Sequence, residues 1–168
     1  TVALIDYERA RWAVIAASRV ALLICAYLLT RMFGYALDSW VMPTVLFVFF
    51  FTETVSHTLI FTNFNSFVLL GMLAFLMLMR SRNDWWAGVP MGLTLAVKPV
   101  LAPLMLLPLL NRQWRVFAFS IVIPLALTAI AWPLSADADA FISRTVPYLG
   151  EARDYYNSSI AGHGAYFG

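Results

Sequence analysis

The stretch from Trp85 to Leu110 is apolar almost throughout, yet it carries the chain's one lysine, Lys98, followed directly by Pro99. Residues this apolar are stable only inside a protein core or a bilayer. An isolated ammonium there costs several kcal/mol unless an anion or a polar cavity compensates it. Lys98 is therefore a candidate functional residue, and a phosphate or carboxylate is the natural partner. Pro99 removes a backbone donor and disfavours helix at the residue before it, so the same position is a candidate break in the backbone.

Composition decides between core and bilayer. Hydrophobic residues make up 62% of the chain and charged residues 12%, and the mean hydropathy is +0.79. These values lie far from those of a soluble domain and indicate an all-α integral membrane protein. A net charge of +2, with basic residues spread along the chain, gives no nucleic-acid footprint. Cys25 is the sole cysteine, so no internal disulfide forms. His57 and His163 lie far apart without metal-ligand spacing, and neither a metal nor an organic cofactor is expected. The chain starts at Thr1 with no signal-peptide pattern, and an internal part of a longer protein is expected.

Hydropathy sets helices at about 12–30, 40–60, 64–79, 85–97, 99–110 and 116–133, followed by a loop over 135–168. The run 85–110 reads either as one Pro-kinked span with Lys98 snorkelling or as a broken hairpin with Lys98 at its apex. The flanking loops favour the hairpin. Arg80-Ser-Arg82 and Asn111-Arg-Gln-Trp-Arg115 are both cationic, short cytoplasmic loops are rich in Arg and Lys, and only a hairpin puts both on one side. Lys98, the segment 52–65 and the tail then face outward, together with seven of the nine acidic residues.

The tail reads Arg144-Thr-Val-Pro-Tyr148 and Asp154-Tyr-Tyr-Asn-Ser-Ser-Ile160, then Gly162 to Gly168, a mixture of aromatic faces, hydroxyls and amides. Sugar sites are commonly built this way; an interfacial aromatic belt is the simpler alternative. Arg19, at the centre of the first helix, is a second intramembrane charge, suited to a lipid phosphate or to a carboxylate from another segment.

Three stretches carry a resemblance. Asn63-Phe-Asn65-Ser-Phe, Gly88-Val-Pro-Met-Gly-Leu-Thr-Leu-Ala-Val-Lys-Pro99 and Leu106-Leu-Pro-Leu-Leu-Asn-Arg-Gln-Trp-Arg115 resemble glycosyltransferase family 87, whose members are polytopic enzymes of the GT-C class that use polyprenyl-phosphate sugars. The tail motifs are similar to those of the mycobacterial members that branch arabinan. The resemblance implies a GT-C-type transmembrane helix bundle in the plasma membrane with its active site on the outer face. It also implies transfer of arabinofuranose from decaprenyl-phosphoryl-arabinose to an arabinan acceptor, forming α-(1→3) branches in arabinogalactan and lipoarabinomannan. Lys98 is then the donor-phosphate ligand, and Asn63, Asn65, Tyr156, Asn157 and Ser158 are expected to contact sugar or phosphate. In this class the catalytic base is an acidic residue of the first outer loop, which is expected upstream of Thr1; Glu53 and Asp154 are substitutes within the chain. Three rivals stay open: a polyprenyl-phosphomannose-dependent mannosyltransferase, a transporter or flippase of an anionic lipid-linked substrate, and a subunit that only binds polyprenyl phosphate.

Overall fold

The computed structural model describes residues 6–52, 63–81, 84–134 and 141–145, with isolated positions 55, 59, 139 and 147. The described residues are helical or in turns, with no strand among them. Helix α1 spans Tyr7–Met32, α2 Val41–Phe51, α3 Asn65–Arg80 and α4 Asp84–Val97; a 3₁₀ segment Pro99–Met105 leads into the short α5, Leu106–Leu110, and α6 spans Trp114–Ala131. The chain divides into two units, 1–127 and 128–168. In the second, a short 3₁₀ turn Trp132–Leu134 precedes a π turn Phe141–Thr145, and Trp132 meets Phe141 edge to face at 6.5 Å.

Two helical stretches, Tyr7–Met32 and Trp114–Leu134, are long and apolar enough to cross a membrane. Helix α1 starts earlier than hydropathy sets it, because Glu8 in its first turn and Arg31 in its last complement the helix dipole and carry the helix past its apolar run. Its buried stripe is Ile15, Ser18, Ala21, Leu22, Cys25, Ala26 and Thr30, mostly small residues that let neighbours approach closely. The opposite stripe exposes Val20, Leu23, Ile24 and Tyr27. In water such a face would be a liability; against lipid it is an ordinary exterior. Helix α2 stops at Phe51 because Thr52 is extended, with ψ 141°, so it does not run on unbroken to position 60.

The core of the first unit is Phe75, Ala87, Met91, Leu95 and Val116, with Leu101, Leu104, Met105 and Leu107 packed against it. Helices α3, α4 and α6 and the 3₁₀–α5 arm therefore share one centre. Gly71 of α3 lies against Thr94 and Pro90 of α4, while Phe75, one turn on, reaches the level of Ala87 and Met91, so α3 and α4 are antiparallel. Gly88 of α4 lies against Val116 and Phe119 of α6, and Gly92 against Ile123, so α4 and α6 run in the same direction. Between them the chain must come back, and it does so along 99–110. The backbone thus takes the hairpin and not the single kinked span.

Two helix ends at the cationic side close in the same way. At α1, the Tyr35 and Gly34 amides donate to the Thr30 and Arg31 carbonyls, at 3.1 Å each, with Gly34 at φ 79°. At α5, the Gln113 and Arg112 amides donate to Pro108 at 2.8 Å and Leu109 at 3.1 Å, with Arg112 at φ 56°. Both are Schellman closures, which need a left-handed residue just beyond the helix.

Candidate functional site

Lys98 stands at the turn of the hairpin. Its amide completes the last turn of α4 by donating to the Thr94 carbonyl at 2.8 Å, but its own backbone leaves the helix at φ −134°, ψ 84°. Pro99 then opens the 3₁₀ segment, and the Leu101 amide donates to the Lys98 carbonyl at 3.1 Å. The sequence Lys-Pro places the charge where the helix must end, so the ammonium projects from a break and not from the flank of a span. Its side chain is partly buried and has no ion pair or side-chain hydrogen bond among the described residues.

The antiparallel fit of α3 on α4 decides what shares that end. From the contact of Gly71 with Thr94, Asn65 is six residues back along α3 and Lys98 four residues forward along α4. At 1.5 Å per residue these are about 9 Å and about 6 Å in the same direction, so Asn65 and Lys98 end at closely similar height. Asn63 lies just before α3 and is exposed; Asn65 is its first residue and is partly buried. The structure therefore brings Lys98, Asn63 and Asn65 to one end of the α3–α4 pair.

Below that end runs an apolar groove of about 300 Å³. Phe67, Leu70 and Ala74 form its α3 wall and Pro90, Leu93 and Val97 its α4 wall, with Gly71 and Thr94 where the helices touch. Val97, which lines the groove, is adjacent to Lys98 in the chain, so the groove reaches the end of α4 that carries the lysine. An apolar groove beneath a cation and two amides is chemically suited to an amphiphile with an anionic head and an apolar tail.

At the opposite end, Arg80 Nη1 donates to the Met32 carbonyl at 3.1 Å, and Gln113 Nε2 donates to the Met79 carbonyl at 3.3 Å. These bonds gather Arg31, Arg80, Arg112 and Arg115 at the far side from Lys98. The described residues of both cationic loops thus lie at one end, as the charge argument requires.

Glu53, Asp154, Tyr156, Asn157 and Ser158 lie outside the described residues, as do His57 and His163. Arg19 is exposed on α1, away from that helix's buried stripe. No cluster of metal-binding residues occurs among the described ones. Sequence reasoning missed the groove and the Gln113 tether. The one sequence signal for the groove is Gly71, an isolated glycine in α3, and Gln113 is marked only as part of the 111–115 loop, with nothing to indicate its tether.

The chain is 44% identical over 167 residues to the alpha-(1->3)-arabinofuranosyltransferase of Mycobacterium tuberculosis, covering 98% of this chain and 39% of that protein. It is 45% identical over 164 residues to the protein of the same name in Mycolicibacterium smegmatis, covering 96% and 38%. The Corynebacterium glutamicum protein of that name is 42% identical over 162 residues, covering 96% and 39%. The chain thus spans about two fifths of the length of the curated relatives it matches. No solved structure matches it. The model of glycosyltransferase family 87 matches residues 1–168 without a break. With identity above 40% across nearly all of its length, and an all-helical bundle broken at Lys98, this chain belongs to glycosyltransferase family 87.

Proposed function

We infer that this chain supplies the donor-phosphate end of an arabinofuranosyltransferase active site in the plasma membrane. The observation that carries the reading is the placement of Lys98, Asn63 and Asn65 at one end of α3–α4, above an apolar groove. The three relatives named as alpha-(1->3)-arabinofuranosyltransferases support the sugar and the linkage. The donor is then decaprenyl-phosphoryl-arabinose, with its prenyl chain along the groove and its phosphate at Lys98, and the acceptor is arabinan. The positive charge of both loops supports a cytoplasmic assignment for their end, and Lys98 then faces outward.

In the transfer, an acceptor hydroxyl oxygen attacks the anomeric carbon, the bond from that carbon to the phosphate oxygen breaks, and decaprenyl phosphate leaves with the electron pair. A carboxylate base takes the hydroxyl proton. Lys98 offsets the charge that grows on the leaving phosphate, the kind of electrostatic stabilisation that lowers a barrier most in a water-poor site. Asn63 and Asn65 orient phosphate or sugar, and Tyr156, Asn157 and Ser158 are assigned to the sugar. The base is assigned to an acidic residue of the family's first outer loop, with Glu53 and Asp154 as the substitutes within this chain. The scheme uses neither metal nor organic cofactor.

The test is to incubate membranes holding the full-length protein with labelled decaprenyl-phosphoryl-arabinose or polyprenyl-phosphoryl-mannose and a short arabinan acceptor, and to analyse the linkage. A new α-(1→3) arabinofuranosyl bond from the first donor is expected. Transfer only from the mannosyl donor would overturn the sugar assignment, and passage of donor across sealed vesicles without a new glycosidic bond would replace the transferase with a transporter.

A further inference from the structure

A second cleft, of about 660 Å³, opens at the cationic end of the bundle, about the length of α3 away from Lys98. Two guanidinium groups, Arg31 at the end of α1 and Arg80 at the end of α3, share it with Ser81; Met32, Phe33 and Met77 give it apolar walls. We propose that this cleft binds the phosphate-bearing headgroup of an anionic phospholipid from the leaflet at that end.

Four observations point to that ligand. Arg80 is held in place, because Nη1 donates to the Met32 carbonyl at 3.1 Å, which leaves most of its donors for another acceptor. Arg31 has no ion pair or side-chain hydrogen bond among the described residues, where the sole ion pair joins Arg11 to Glu8. Two cations facing one cleft repel unless an anion lies between them. Met32, Phe33 and Met77 give the cleft an apolar side, and Phe33 is two-thirds exposed at 67%. A free inorganic anion gains nothing from such walls, whereas the glycerol and first acyl carbons of a lipid do.

The ordinary role of arginines in a last helical turn is to offset the dipole. Here Arg80 uses one donor on the Met32 carbonyl at the end of α1, and neighbouring carbonyls at both ends are taken by other groups. Tyr35 and Gly34 amides close α1, and the Ser81 amide and hydroxyl donate to the Met77 and Leu78 carbonyls, at 3.1 Å and 2.8 Å, at the end of α3. The carbonyls at these ends therefore do not turn a bare negative face to the ligand, and the guanidinium charge is available. Asp38, in the loop after α1, is exposed and makes no ion pair with either arginine. Basic pockets between helices at a membrane surface are suited to anionic headgroups. The inference does not rest on the transferase reading.

The experiment is native mass spectrometry of the full-length protein released from mixed micelles of phosphatidylglycerol and phosphatidylcholine, with inorganic phosphate as a separate competitor. The protein is expected to retain phosphatidylglycerol in preference to phosphatidylcholine, and Arg31→Gln is expected to lower that retention about fivefold. Arg31→Gln leaves the Arg80–Met32 bond intact, so it is the primary variant; Arg80→Gln, which breaks it, is compared only after thermal unfolding shows a folded protein. Arg112→Gln removes a charge at the same end but outside the cleft and is expected to change nothing. Equal retention by Arg31→Gln, or equal loss in Arg112→Gln, would overturn the site. Displacement of the lipid by millimolar inorganic phosphate would overturn the lipid assignment in favour of a free anion.

Discussion

Gln113 reaches back from the loop after α5 and donates its side-chain amide to the Met79 carbonyl at 3.3 Å, thirty-four residues earlier in the chain. That bond ties the return of the Lys98 hairpin to the end of α3. Gln113 is buried, at 8% exposure, and its other polar atom, Oε1, has no partner among the described residues. The bond is kept although one half of the amide stays unsatisfied, so its value is positional. Gln113→Ala is expected to lower the stability of the full-length protein by about 1 kcal/mol, measured by thermal unfolding in detergent.

Helix α3 meets α4 through Gly71, where an added Cβ would collide with Thr94 Oγ1 and come within 3.2 Å of the Pro90 carbonyl oxygen. Gly71→Ala is expected to cost about 1–3 kcal/mol through overpacking. The nearest atom belongs to a side chain, so Thr94→Ala in the same molecule is expected to recover most of that loss. A double-mutant cycle on unfolding midpoints reads the coupling; strict additivity would show that the helices separate instead of clashing.

Gly88 and Gly92 are a different case. An added Cβ on Gly92 would lie 2.7 Å from Ile123 Cβ, and on Gly88 2.5 Å from Phe119 Cβ, positions fixed by the α6 backbone. In lipid, helices associate through close packing and not through burial from water, so this glycine pair one turn apart sets the distance of α4 from α6. Gly92→Val is expected to be more damaging than Gly71→Ala and to resist rescue by shortening Ile123 to Ala. The yield of folded protein after membrane extraction checks both statements.

Arg112 occupies a left-handed position, φ 56°, that glycine fills in the matching closure of α1 at Gly34. The left-handed conformation costs a residue with a Cβ about 1–2 kcal/mol, partly offset by the greater freedom of glycine in the unfolded chain. Arg112→Gly is therefore expected to stabilise the protein by about 0.5–1 kcal/mol, visible as a raised unfolding midpoint.

Much of this architecture is legible in the sequence, and the reasons are local. Lys98-Pro99 announces its own break, because proline acts on the residue before it. The charges of Arg80, Arg82, Arg112 and Arg115 announce that both loops share a side. What stayed hidden depends on pairing between segments. Hydropathy gives no register, so it showed neither Gly71 against Thr94 nor Gly88 against Val116, and with them it missed the groove. Arg31 and Arg80 lie far apart in sequence and join one cleft only through the Met32 carbonyl. The 3₁₀ form of 99–105 escaped because Pro99 and Pro103 suit several extended or tight helical geometries equally. Of the expected site residues, the described part contains Lys98, Asn63 and Asn65, and the remainder fall outside it.

The most direct measurement is turnover of labelled decaprenyl-phosphoryl-arabinose by full-length Lys98→Ala, alongside Lys98→Arg, in membranes where insertion and folding have been verified. If Lys98 meets the leaving phosphate, the alanine variant loses about a hundredfold or more of its transfer rate while remaining inserted, and arginine restores part of it. Normal turnover in a folded Lys98→Ala protein would contradict the account at its centre.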